Sequence, residues 1–176
     1  MSLADTIALF SPRSVSQGDR NVIRDLWDKL GRVPGGKHVF SRMLGIAAPY
    51  TSTIPVTVDE LRQGHALTTL ADRREVRNHL SCIHAVALVN FAEVTGNLAL
   101  AYSLPDDARF IVAGLSIDYL KKARGTLRGS CEIPPVTSSE RREYDVHVTM
   151  KDASGDVVAR ATLRTLVGPK PRKKRG

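Results

Sequence analysis

The segment CIHAVALVNFAEVTGNLALAYS, residues 82–103, decides the fold. It is apolar nearly all round, through Val86, Leu88, Val89, Phe91, Val94, Leu98 and Leu100, which marks a helix surrounded by protein on every side. A helix of that length spans roughly 33 Å at about 1.5 Å per residue, and Leu104-Pro105-Asp106-Asp107 closes it. Ala85, Ala92, Gly96 and Ala99 recur at helical spacing and let a sheet or second helix approach closely. Three polar residues interrupt the apolar run, Asn90, Glu93 and Asn97, and their i, i+3, i+7 spacing gathers them into one narrow stripe. A carboxylate in such surroundings is expensive unless it has a partner or a task. Just ahead, Asn78-His79-Leu80-Ser81 is a polar loop running into the helix, whose start offers unpaired N–H groups to a developing negative charge.

Outward from this helix the pattern is mostly of period two. Upstream, Ile54, Val56 and Val58 alternate with polar residues from Thr51 onward, Gln63-Gly64 is a turn signal, and His65 to Leu70 completes a hairpin. Downstream, four alternating runs follow: Ile111 to Tyr119, Leu127 to Ile133, Tyr144 to Met150 and Val157 to Val167. Ala123-Arg124-Gly125 and Asp152-Ala153-Ser154-Gly155 read as hairpin-type connections, and Pro134 to Ser139 as a longer one, so the late strands are expected to pair antiparallel. The economical architecture is α+β, a six-stranded antiparallel sheet wrapped around one central helix. Residues 14–31 read as an amphipathic helix capped by Ser14 or Ser16 and stopped at Gly31. A shorter helix follows Pro34 and ends at Pro49. The expected organisation is a helical flank at 1–49, the sheet-and-helix domain at 50–168 and a basic tail at 169–176.

The 176 residues suit one domain with a single core. With 42% hydrophobic and 25% charged residues, neither disorder nor a membrane span is indicated. Met1 to Phe10 include Asp5 and lack a basic start and a long apolar run, so the expected compartment is the cytoplasm. Net charge is +8, but the last seven residues supply five of those charges, leaving a mildly basic body of +3. That tail reads as a solvated end, and with no aromatic residue among its cations nucleic acid is not an expected partner. Cys82 and Cys131 form no C-x-x-C pair and no histidines cluster at ligand spacing, so reduced core thiols and no metal are expected.

Helix geometry constrains any chemistry at the stripe. His84 and Glu93 are nine residues apart, which within one helix separates them by about 13.5 Å along the axis and roughly 180° around it. One copy therefore cannot bring the helix start and Glu93 to the same reacting atom. Two copies on a two-fold axis can, with the start of one helix facing the carboxylate of the other. A homodimer or a dimer of dimers is the expected assembly.

The order of elements resembles the hotdog fold, and the loop-helix residues resemble acyl-CoA thioesterases of the phenylacetate-pathway type. In those enzymes a His-Gly-Gly opens the central helix, an Asn precedes the His by six residues and a carboxylate follows it by nine. Here His84, Asn78 and Glu93 hold those positions, and Ala85-Val86 replaces the Gly-Gly, so side chains crowd the approach. The run from Gly114 to Gly125 is similar to the strand and turn after the helix in that superfamily. Ala48-Pro49-Tyr50 and Arg77-Asn78-His79 resemble an uncharacterised thioesterase-like branch of the DUF4442 type.

The resemblance implies hydrolysis of an acyl-CoA thioester at a dimer interface, with coenzyme A arriving as part of the substrate and no separate cofactor. The Ala85 or Val86 N–H would polarise the thioester carbonyl, and Glu93 of the other subunit would activate water or attack directly. Asn78 would orient the water or thioester, and His84 would shape the helix start. Asn90, together with Lys121, Lys122 and Arg124 at a strand end, would bind substrate, the cations meeting the coenzyme A phosphates. The competing readings are a non-catalytic acyl-CoA binder and, less favoured, a hotdog dehydratase, which normally carries a Pro-rich loop at the helix entry.

Overall fold

The structure, a computed structural model, describes residues 11–171; the segment 1–10 and the basic tail from 172 onward lie outside the described residues. Among the described residues three helices lead, α1 (Pro12–Gln17), α2 (Val22–Leu30) and α3 (Gly36–Ala47), followed by a 3-10 turn at Pro49–Thr53. The hairpin β1 (Val56–Arg62) and β2 (His65–Leu70) precedes the central helix α4 (Ala85–Ser103). Four strands complete the chain: β3 (Ala108–Tyr119), β4 (Leu127–Glu132), β5 (Arg142–Lys151) and β6 (Val157–Pro169). All six strands form one antiparallel sheet in the order β1-β2-β4-β5-β6-β3.

The sheet packs around α4, whose Leu88, Phe91, Leu98 and Leu100 are buried against Val58, Leu70, Leu127, Val146, Met150 and Leu163. By length and composition α4 could cross a membrane, yet 61% of its apolar span is buried inside the protein, as suits a core helix. Close approach depends on small residues. A Cβ on Gly96 would lie 3.0 Å from Val146 Cγ1 and 3.1 Å from Val148 Cγ2, so the missing side chain is what seats the helix on β5. Cys82 and Cys131 are free and buried. Burial, helped by the Glu132 charge, pushes the Cys131 thiol up to about 12, which leaves it protonated and inert at neutral pH.

Five sequence expectations need correction. The single helix at 14–31 is two. Ser11 starts α1 through a reciprocal cap with Ser14, α1 ends at Gly18, and Asn21 caps a fresh helix. Gly18 sits so close to the Ser14 carbonyl that a Cβ there would clash with its oxygen. The expected strand start at Thr51 is instead the 3-10 turn, because the hydroxyls of Thr51, Ser52 and Thr53 donate back to carbonyls three residues earlier. The central helix begins at Ala85 because Ile83 is still extended: it bridges Arg77 and donates its N–H to the Ala123 carbonyl at 2.8 Å.

In β3 the strict alternation fails. A bulge between Val112 and Gly114 turns Phe110 and Val112 inward ahead of it and Leu115 and Ile117 inward after it, leaving Ile111 66% exposed. Arg164 Nη2 donates to the Ala113 carbonyl at 3.3 Å within that bulge. Ala123-Arg124-Gly125 is no hairpin either. It carries the chain from edge strand β3 across to β4, with β5 and β6 lying between them in the sheet.

Asn21 ties the leading helices to the end of α4. Its Oδ1 accepts the Arg24 N–H at 3.1 Å, while its Nδ2 donates to the carbonyls of Ala101 at 2.7 Å and Leu104 at 3.0 Å. Asn21→Ala removes a helix cap and two donors to carbonyls at the end of the core helix, and is expected to cost about 2–3 kcal/mol in denaturant unfolding. A loss below about 0.5 kcal/mol would mean that water replaces those bonds without penalty.

Candidate functional site

The loop before α4 is held at many points. Asp72 accepts from Arg77 Nε at 2.7 Å and from the Gly125 N–H at 2.8 Å, and these bonds, Arg77's foremost, hold its carboxyl below the usual range. Asn78 Oδ1 accepts the N–H groups of Leu80 at 2.9 Å and Cys82 at 3.2 Å, and the Asn78 N–H donates to the Cys82 carbonyl at 2.8 Å. The side chain of Asn78 is thus the clasp of the 78–82 turn, in which Ser81 takes a φ of 54°. The His84 N–H donates to the Val76 carbonyl at 2.7 Å, and His84 then becomes the N-cap of α4.

This cap discriminates between the two N–H groups at the helix start. His84 Nδ1 accepts the Val86 N–H at 3.1 Å, a bond that places the proton of a neutral ring on Nε2. The Ala85 N–H has no acceptor among the described residues, and Ala85 is exposed. The neighbouring Val86 side chain is 54% exposed, and Tyr119 at the end of β3 is exposed as well. The Tyr119 hydroxyl donates to the Ala85 carbonyl at 3.2 Å, fastening the end of β3 to the helix start.

Below the first turn, a cavity of about 200 Å³ is lined by His84, Val86, Asn90, Tyr50, Glu75 and Arg77, among others. Asn90 is buried, and its Nδ2 donates to the Tyr50 carbonyl at 3.2 Å and to Thr53 Oγ1 at 3.1 Å. Its amide nitrogen therefore braces the 3-10 turn that forms the far wall. Glu75 and Arg77 were missed by the sequence reading; the only signal is a charged turn, Arg73-Arg74-Glu75, immediately ahead of the loop.

Glu93 does not line that cavity. It lies further along α4, partly exposed, with Asn97 Nδ2 3.5 Å from its Oε1. The structure thus brings His84, Val86 and Asn90 together and leaves Glu93 apart within one chain. The cations are also divided. Lys121 donates to Asp152 at 2.8 Å and Asp156 at 2.6 Å, and those carboxylates hold its ammonium above the usual range. Lys122 and Arg124 are exposed and make no ion pair among the described residues. No group of three His, Cys, Asp or Glu residues able to hold a metal occurs among the described residues.

The chain belongs to the family described as Domain of unknown function (DUF4442), whose model matches residues 36–167. A structural-genomics crystal structure is 31% identical, covers 84% of this chain and 98% of its own, and superposes with a TM-score of 0.73. A Pseudomonas aeruginosa protein of unknown function, described as a probable thioesterase, is 17% identical over 75% of this chain and 95% of its own, with a TM-score of 0.68. A Haemophilus influenzae thioesterase is 11% identical over 79% of this chain and 94% of its own, at 0.66. The fold shared with these proteins is the hotdog fold. Among curated proteins none matches this chain.

Proposed function

We propose that this member of the DUF4442 family is a homodimeric acyl-CoA thioesterase whose two sites each combine the helix start of one subunit with Glu93 of the other. The observation that carries the reading is the division of the site. The Ala85 N–H is presented at an exposed helix start, and the stripe carboxylate of Glu93 lies about 12 Å further along the same helix, too far to reach an atom seated on that N–H. Strand β3 supports the pairing. It is an edge strand of 12 residues with an unused row of backbone donors and acceptors and with Ile111 and Tyr119 exposed, the kind of edge that proteins cover. Two copies of β3 meeting antiparallel across a two-fold axis would continue the sheet and set the α4 helices face to face.

In that site the thioester carbonyl oxygen sits on the Ala85 N–H, at the positive end of the helix dipole. Glu93 of the second subunit takes a proton from water as the oxygen adds to the carbonyl carbon. The oxyanion collapses, the carbon–sulfur bond breaks, and the departing thiolate takes the proton from Glu93. With the Val86 N–H capped by His84, the exposed Ala85 N–H is the donor that the carbonyl meets, and His84 serves by holding the cap.

Thiol release from a panel of acyl-CoAs, with Glu93→Ala as the control, tests the reading. Wild type is expected to turn over at least one member, and Glu93→Ala to lose about 10²–10⁴ in kcat. Equal release by both proteins would sink the assignment, whereas tight acyl-CoA binding by both without release would assign a binding protein. The cations make a separate prediction. Lys122→Ala with Arg124→Ala is expected to raise KM for acyl-CoA several-fold, an effect that fades with salt, while Lys121→Ala leaves KM unchanged because two carboxylates already engage that ammonium.

A further inference from the structure

From Lys29 to Val58 the sequence holds no acidic residue, and its charged side chains, Lys29, Arg32, Lys37 and Arg42, are all cationic. Helix α3 lies in the middle of this run. It buries Phe40 and Met43, with Phe40 edge-on to Trp27 of α2 at 5.0 Å between ring centroids. On its β1 side Ser41 Oγ accepts the Val58 N–H at 2.9 Å, which fastens the helix to the edge of the sheet opposite β3. Pairing through β3 therefore does not run across α3.

The open side of α3 is not polar. Val39 and Ile46 are seven residues apart, which sets them within about 20° of each other around the helix, and Arg42 stands on the same side between them. All three are exposed, Ile46 at 58%. The turns at the two ends of α3 add Val33 and Tyr50, also exposed, so the apolar side chains are strung along an element about 18 Å long. Arg42 makes no ion pair among the described residues, and neither do the exposed Arg73 and Arg74. Those two open a short turn whose Glu75, its one acid, and Val76 line a cavity together with Tyr50. Single apolar residues are ordinary on a surface. Apolar residues aligned on one helix that carries cations and no acid fit an interfacial helix, whose side chains enter a bilayer while its cations meet anionic lipid.

We propose that the open side of α3 docks the protein on an anionic lipid surface, with Val39, Ile46 and Tyr50 entering the headgroup layer and Arg42, Arg73 and Arg74 meeting lipid phosphates. The docking does not depend on thioester hydrolysis, and its test reads binding alone. Cys82 and Cys131 are buried, so a single exposed cysteine can be followed with a membrane-impermeant maleimide. In the full chain with Ile46→Cys, labelling is expected to be fast in buffer and beside phosphatidylcholine vesicles, and at least about fivefold slower beside vesicles containing about a third phosphatidylglycerol. Asp145→Cys, exposed on the outer face of β5, should react at one rate throughout. Adding Arg42→Glu and Arg74→Glu should return the labelling of Ile46→Cys to its rate in buffer. Slow labelling in buffer would mean that the chain's own leading segment or a second copy covers α3, and would overturn the proposal. So would labelling of Ile46→Cys that stays fast beside anionic vesicles, even if the basic end of the chain binds them, or equal slowing at both positions.

Discussion

Mixing two inactive variants is expected to restore thioester hydrolysis. Ala85→Pro deletes the proposed oxyanion donor and little else, because Ala85 is the first helical residue, where proline is tolerated. His84, at φ −64° and ψ 141°, already has the extended backbone that a residue preceding proline requires. Loss of that N–H is expected to lower kcat by about 10²–10³. Glu93→Ala is expected to be equally inactive for a different reason, the loss of the proposed base. In the proposed dimer, subunit exchange in an equimolar mixture would give heterodimers in which one site has both its Ala85 N–H and its Glu93, so activity is expected to return to about a quarter of wild type. Steady-state thiol release before and after exchange measures it. A mixture that stays inactive, while its subunits demonstrably exchange, would show that both groups act within one chain or that one of them takes no part.

The second large effect is on stability. Phe91 is fully buried on α4, and its ring tip lies 2.9 Å from where a Cβ on Gly129 would stand, so the ring fills the space that the glycine of β4 leaves open. Phe91→Ala empties that space, beside the Thr68–Thr95 hydroxyl pair at 2.7 Å, which cannot move in to fill it without losing its own bonds. The expected cost is about 3–5 kcal/mol. At roughly 2–4 °C per kcal/mol for a domain of this size, the melting temperature falls by about 6–20 °C. Gly129→Ala in the wild-type background should cost about 1–3 kcal/mol from overpacking, and less in the Phe91→Ala background, where one of its three close neighbours is gone. Calorimetry of the four proteins checks both statements; additive losses would mean that ring and glycine do not share a space.

Much of this protein is legible locally. The apolar circumference of α4, the Gln63-Gly64 turn and the alternation in β4, β5 and β6 each lie within a few residues of their cause, and each appears where the sequence places it. Errors arise where a local pattern competes with a partner far along the chain. The period of β3 reads as Ile111, Ala113, Leu115, yet a bulge opposite β6 reverses the faces ahead of it. The residues at 49–53 look like the start of a strand, yet their hydroxyls prefer nearby carbonyls and Asn90 braces the turn from 37 residues away. At the candidate site, Asn78 falls at the position read from the sequence, but its Oδ1 is spent on its own turn.

From sequence alone come the central helix, the six strands and the separation of Glu93 from His84, because helical and strand periodicities are set by backbone geometry and need no knowledge of what packs where. Only the tertiary structure decides that β3 is an edge, that β4 sits beside β2, that Lys121 is held by two carboxylates, and that His84 takes the Val86 N–H and leaves that of Ala85 free. Those outcomes depend on which distant groups meet. In a chain where every buried donor must find an acceptor, that is fixed by the whole arrangement and by no single segment of it.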